Sequence, residues 1–374
     1  MKKKKTIYSF YYEWWKNIDK FIFFIIILLF ITGLFFSLVS TSLIVSDKLE
    51  TNDYTFFFKH LMFVILGVII IFFFSSIKET KLFEISPIIF IFSLITLFLV
   101  PIIGVEVNNA QRWIDLYFLP RFQPIELVKP FLIISISLIL SSEKYTNIYL
   151  KYTFSFFLTL IIALFLAAQP DIGQTLLIFF SWSVLIFVSG INIVFLTASC
   201  LILFMVLFYS VSFFPKFGYI KNRVLSFFNT ESGTYNSQSE KAIDSITSGG
   251  YFGKGIGEGN LKNRVPEAHT DYIISVISEE FGVIAIILIL SLFLIFIYSV
   301  LKKVYLKNEE KTKLILVGST SLILVQAMIH IGVNIRLFPT TGMTLPFISY
   351  GGSSIISISI LSGIILNLTK RKID

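Results

Sequence analysis

The sequence predicts an all-α integral membrane protein of ten transmembrane helices, and two observations carry that prediction. Of its 374 residues, 55% are hydrophobic and only 14% are charged, against about 25% charged in an ordinary soluble domain. Apolar runs of the roughly 20 residues needed to cross hydrocarbon follow one another from Phe21 to Leu368. No separate soluble domain is left over, so residues 1–374 read as a single polytopic membrane domain.

The lysine-rich start MKKKK opens a cytoplasmic segment, 1–20, ahead of a first span at about 21 to 46. That run is too long for the apolar core of a signal peptide and further spans follow at once, so it reads as a helix that stays. Further windows lie at about 57 to 77, 85 to 104, 124 to 142, 152 to 169, 171 to 189, 191 to 213, 272 to 301, 314 to 338 and 345 to 368. Between the fifth, sixth and seventh, QPDIGQ and SGIN leave almost no loop. An even count places both termini on one side. The clusters MKKKK, KETK, EKYTNIYLK, KKVYLKNEEKTK and KRKID then share that side, which the positive-inside rule makes cytoplasmic. These loops account for the net charge of +8, and no basic groove interleaved with aromatics points to nucleic acid.

The other face carries the 106–123 loop, one long polar segment at 214–271 and the short turn FPTTGMT. Within the long segment, NTESGTYNSQSEKAIDSITSGG is rich in Ser, Asn, Thr and Gly, which predicts an irregular surface loop. Segments of that length are usually functional or disordered. The polar chemistry therefore converges on the extracytoplasmic face, between the seventh and eighth spans.

Asp271 stands where that loop enters the eighth span. It reads either as a helix N-cap, a position aspartate favours, or as an acid–base group at the membrane surface. Glu279 and Glu280 follow eight and nine residues later, about 12 to 14 Å deeper along a continuous helix. Acidic groups at such depth need partners. In QPIELVK, Glu126 and Lys129 are three apart, on one helical face where they can pair. Arg336, near the outer end of the ninth span, is a further cation, and a purely structural ion-pair network is the alternative for all of these. In NNAQRWIDL, Arg112 and Trp113 suit either an interfacial anchor or a phosphate contact. QPDIGQT, with Pro170 and Gly173 around Asp171, fits a tight turn between spans. Gly342, Pro346 and Gly351-Gly352 in TTGMTLPFISYGGSS break a helix, which is tolerated only against protein or a water-lined cavity. The lone Cys200 excludes an intrachain disulfide and suggests a packing role. No P-loop, dinucleotide fingerprint, nucleophile elbow or Cys/His metal cluster is present in the sequence.

The motifs NNAQRWI, RFQPIELVK, QPDIGQT, GGYFGKGIGEG, PEAHTDYIISVISEEFG and PTTGMTLPFISYGGSS, in this order, resemble the SEDS family, the shape, elongation, division and sporulation proteins. The resemblance covers essentially all ten spans. GIGEG followed by PEAHTDY, and GMTLPFISYGGSS, are closer to the division members than to the elongation members. It implies polymerisation of lipid II into a nascent glycan strand outside the cytoplasmic (inner) membrane, at the division septum, with undecaprenyl diphosphate leaving. Implied partners are a class B penicillin-binding transpeptidase and other division proteins. Asp271 matches the family's essential acidic residue and becomes the candidate catalytic base. Arg112, Trp113, Glu126, Lys129, His269, Glu280, Arg336 and Ser349 match the family's motifs and become candidate substrate-binding residues. No tightly bound cofactor is implied, and no metal ligand; a Mg or Mn ion riding on the diphosphate is compatible with it.

Asn109, Ile125 and His330 depart from the family's usual Gly, Ser and Asn. The first two departures weaken a substrate role there; His330 reads as a packed imidazole ahead of a network member. Three functions follow for testing: a division glycosyltransferase (or its elongation counterpart), a transporter that flips the lipid-linked precursor, and a scaffold that only recruits the transpeptidase. A transporter should show internal repeats and charge along its whole path, whereas the polar motifs here gather on one face.

Overall fold

The computed structural model describes residues 7–41, 54–107, 110–115, 120–144, 147–214, 234–259 and 267–370, with isolated positions between 217 and 227 and at 265. Asn109 and Arg264 lie outside the described residues. The helices in chain order are α1 (Ile7–Asn17), α2 (Lys20–Thr41), α3 (Thr55–Ser76), α4 (Glu79–Ile103), α5 (Pro124–Leu140), α6 (Ile148–Ala168), α7 (Ile172–Val188), α8 (Ile193–Phe213), α9 (Thr234–Gly249), α10 (Ile273–Val304), α11 (Glu310–Asn334) and α12 (Gly352–Leu368). Between α4 and α5 a small antiparallel hairpin, β1 (Val105–Val107) with β2 (Ala110–Trp113), is an element the sequence did not announce.

Among the described residues, seven helices, α2, α3, α4, α6, α8, α10 and α11, are long and apolar enough to cross a membrane. The other three predicted spans correspond to α5, α7 and α12, which have 17 residues each. At 1.5 Å per residue they reach only about 26 Å, the lower end of the spanning range. Each is preceded, on one common face, by irregular chain: 120–123, 169–171 and 339–351. Contacts between these stretches establish that they share that face: Gln123 N donates to Ser353 Oγ at 3.1 Å and Gln123 Nε2 to Asp171 Oδ2 at 2.9 Å. Of the three helices, only α12 starts later than its apolar run, at Gly352 instead of 345, because 345–351 belongs to the non-helical stretch.

On the opposite face Asp19 caps α2, accepting from the Phe21 and Ile22 amides at 3.1 and 3.2 Å. Its other oxygen meets Lys303 Nζ at 2.6 Å, which ties the start of α2 to the end of α10.

Three expectations are corrected. The predicted irregular loop contains a regular helix, α9, because Ser239, Ala242, Ser245 and Gly249 recur at helical spacing as a buried face of small residues. These let α9 lie directly on α10: a Cβ on Gly249 would fall 1.9 Å from Ser278 O. The eighth span is not one helix, because Gly282 (φ 75°, ψ −178°) interrupts α10. Residues 283–304 alone give about 33 Å of helix, enough to cross hydrocarbon. Glu279 and Glu280 therefore stand at the head of the membrane-length segment instead of deep along it. Cys200 is exposed on α8, a peripheral helix with few covered side chains.

Candidate functional site

The non-helical segment 339–351 is the frame of the site. Phe347 plugs it into the bundle, its ring 5.2, 6.2 and 6.0 Å from those of Phe30, Phe293 and Phe296. Leu345 N donates to Ser349 Oγ at 2.9 Å and Ser349 N to Leu345 O at 3.0 Å, closing a turn. His330 Nδ1 lies 2.7 Å from Met343 O; a carbonyl only accepts, so Nδ1 carries the proton. His330 is thus both packed and part of the polar network.

Asp271 sits against this frame. Its Oδ2 is 3.6 Å from the Cβ position of Gly342, whose φ of +70° favours glycine. Asn334 Nδ2 donates to Asp271 O at 3.0 Å and to His330 O at 2.9 Å. The N-cap position of α10 belongs to Tyr272 and has no side-chain cap bond. His269, on the same turn, is half-buried, with its ring 4.8 Å from Phe56 and 6.2 Å from Tyr350. Burial holds its pKa below the ordinary 6.5, partly offset by the Glu267 carboxylate. Tyr350 N donates to His269 O at 3.2 Å, joining the turn to the frame.

A second constellation lies inside the bundle. Lys129 Nζ meets Glu126 Oε2 at 2.7 Å, both side chains almost fully buried, as their spacing predicted. Gln174 Nε2 donates to Glu126 Oε1 at 3.0 Å. Lys129 also donates to Gln326 Oε1 at 3.4 Å, and Gln326 Nε2 donates to Thr344 O at 3.0 Å. Gln326 thus links the buried ion pair to the frame beside Asp271. Arg112 is committed locally: Nε donates to Gln169 O at 3.0 Å, Nη2 to Pro170 O, and Nη1 faces Asp171 Oδ1 at 3.7 Å. Asp171 caps α7, accepting from Gln174 N at 3.4 Å. A Cβ on Gly173 would fall 2.8 Å from Thr341 Cβ, so this turn abuts the frame next to Gly342. Trp113 lies in β2, opposite Val105.

The third constellation is the break in α10. Glu279 accepts from Ser245 Oγ at 2.9 Å and faces Lys254 Nζ at 3.4 Å. Glu280 Oε1 accepts from Gly257 N at 3.4 Å. Arg336, just past the end of α11, pairs with Glu240 of α9 at 3.4 Å.

The frame thus brings Asp271, His269 and Ser349 together and places Arg112, Glu126 and Lys129 one layer behind it. Sequence reasoning passed over Gln123, Gln174, Gln326 and Asn334; the available signal was amide side chains inside apolar runs. Among the described residues, His330 Nε2, Asn334 Oδ1, Thr340 Oγ1, Thr341 Oγ1 and Gln174 Oε1 are buried polar atoms without a protein partner. Thr340 and Thr341 belong to the frame itself, and His330 and Asn334 bond to Met343 O and Asp271 O beside it. No cluster of three His, Cys, Asp or Glu side chains suited to a metal occurs among the described residues.

Two relatives share the name "Probable peptidoglycan glycosyltransferase FtsW". That of Riesia pediculicola is 34% identical over 351 residues, covering 90% of this chain and 91% of its own. That of Wigglesworthia glossinidia brevipalpis is 32% identical over 373 residues, covering 95% and 93%. A chain in the solved structure described as "Structural coordination of polymerization and crosslinking by a peptidoglycan synthase complex" has the same fold. It superimposes with a TM-score of 0.78 at 24% identity, covering 94% of this chain and 97% of that one. The family model described as "Cell cycle protein" matches residues 19–373. This multi-pass membrane protein therefore belongs to the FtsW–RodA–SpoVE family of cell cycle proteins.

Proposed function

We propose that this chain is a peptidoglycan glycosyltransferase that polymerises lipid II during cell division. The observation that carries the reading is Asp271, its carboxylate directed at Gly342 in a frame of unpartnered buried polar atoms. In the reaction, the acceptor sugar's 4-hydroxyl attacks the anomeric carbon of the lipid-linked donor. The new glycosidic bond forms, the bond to undecaprenyl diphosphate breaks, and the hydroxyl proton passes to the Asp271 carboxylate. A positioned base of this kind contributes about 10²–10⁴-fold to rate. The diphosphate needs stabilising charge. Arg336 has donors left over after pairing with the half-exposed Glu240. Lys129 and Arg112, being internally paired, act by holding the frame. A Mg or Mn ion would be carried by the diphosphate oxygens.

The topology that goes with this reading has ten spans, both termini in the cytoplasm and 214–271 outside. Its partner is a class B penicillin-binding transpeptidase at the septum, a partner supported by the likeness to a peptidoglycan synthase complex that coordinates polymerization and crosslinking. A transporter is the second reading, favoured by the broken α10 and the buried Glu126–Lys129 pair. Purified protein with and without the transpeptidase, given labelled lipid II, separates them. Wild type should yield polymer and folded Asp271→Asn none; lipid movement across vesicles without polymer under any condition would favour the transporter.

A further inference from the structure

Residues 249–259 leave α9 and lie across the break in α10, bonded to both of its ends. Lys254 N and Gly255 N donate to the carbonyls of Glu279 and Glu280 at 2.9 and 3.1 Å. On the other side of the break, Val283 N and Ile284 N donate to Gly250 O and Tyr251 O at 3.0 and 3.3 Å. Each helix end thus finds its missing partners in the loop, the condition under which irregular backbone persists at membrane depth.

Two contacts establish that depth. The Asp19–Lys303 pair sets α2 against α10 at the far face. From there α10 runs to Phe281, whose ring meets Phe35 and Phe36 of α2 at 5.6 and 5.4 Å. α2 continues to Thr41, and Leu38 is still 36% exposed. The break, and the loop bonded to it, therefore stand level with the last turns of an apolar membrane helix. At that level Tyr251 and Phe252 are 77% and 82% exposed. Below them Val283, Ile284, Ile287 and Leu288 expose one apolar stripe of α10, continuous with the loop through the Ile284–Tyr251 bond. Lys254 pairs with the buried Glu279 at 3.4 Å while its side chain stays 37% exposed, as a lysine does at a membrane interface with its stem along apolar surface and its ammonium toward water.

We propose that the Tyr251–Phe252 tip is a membrane anchor that seats in the headgroup–acyl boundary of the leaflet on the Asp271 face. Aromatic rings are favoured at that boundary. The bilayer thereby holds the loop that carries the partners of Glu279 and Glu280. The anchor stands whether or not the chain polymerises glycan.

The test uses the full chain with Cys200→Ser, labelled at Phe252→Cys with an environment-sensitive dye and reconstituted in phosphatidylcholine–phosphatidylglycerol vesicles. A nitroxide near the lipid headgroup should abolish most of the emission, and aqueous iodide should change it little. Emission quenched by iodide and untouched by the nitroxide would overturn the anchor. So would an iodide-accessible label shielded only when the transpeptidase is added, which would make the tip a protein-docking element. Should Phe252→Cys fail to fold, Tyr251→Cys reports on the same surface.

Discussion

At the scale of single residues, the paired charges divide into those that support the frame and those that face it. Removing Lys129 as Lys129→Met leaves Glu126 buried and unpaired, which should cost about 3–5 kcal/mol. The double variant Glu126→Leu/Lys129→Met should recover most of the loss in a thermal melt; no recovery would mean the pair is not what the site needs. His269 supplies a pH signature. Its folded pKa lies below 6.5, so the unfolded chain binds the proton more tightly. Its contribution is full above that value and is lost as pH falls below it. Melts between about pH 7.5 and 5.5 should show stability declining in wild type, with a flatter profile in His269→Gln; identical slopes would contradict the assignment. The Glu126–Lys129 contact was legible because three-residue spacing on a helix leaves little choice. Gln326 was not, since an amide in an apolar run reveals nothing of its partner until α11 and the frame are brought together.

At the scale of elements, the break in α10 is the feature periodicity could not reveal, because a single glycine after Glu279, Glu280 and Phe281, with an apolar run beyond it, leaves the helical pattern intact. What forces the break is tertiary: its φ of +75°, and backbone so close that a Cβ would fall 2.2 Å from Tyr251 O. Gly282→Ala should therefore cost about 1–3 kcal/mol in backbone strain alone, with further loss from the clash. Faster proteolysis within 249–259 would report it; wild-type protection would show that the loop does not depend on the break. α9 escaped prediction for a related reason. Its buried face is Ser, Ala, Ser and Gly, which reads as turn chemistry until α10 lies against it.

At the scale of the whole molecule, the ends of α2 and α10 are held by Asp19 and Lys303. Burial pushes the Asp19 carboxyl up, but the Lys303 bond and the Ile22 and Phe21 amides outweigh it and hold the pKa below 3.8. Its stabilisation is present above that value and is lost as pH falls through the lower folded pKa. Asp19→Asn keeps a capping side chain and deletes the charge, so at neutral pH it should cost about 0.5–1 kcal/mol. An unchanged melting temperature would assign the join to packing alone. The seven membrane-length helices were legible because hydrocarbon sets their length, whereas the start of α12 at Gly352 depends on the non-helical frame that takes up 345–351.

The shortness of α5, α7 and α12 sets a level for the chemistry. Three helices of about 26 Å among neighbours matched to about 30 Å of hydrocarbon sink the polar floor beneath the plane of the surrounding phosphates. Under the proposed function, a polyprenyl-borne sugar would meet the Asp271 carboxylate while its isoprene tail stays in oil, sparing about 0.8 kcal/mol for each methylene that would otherwise be drawn into water.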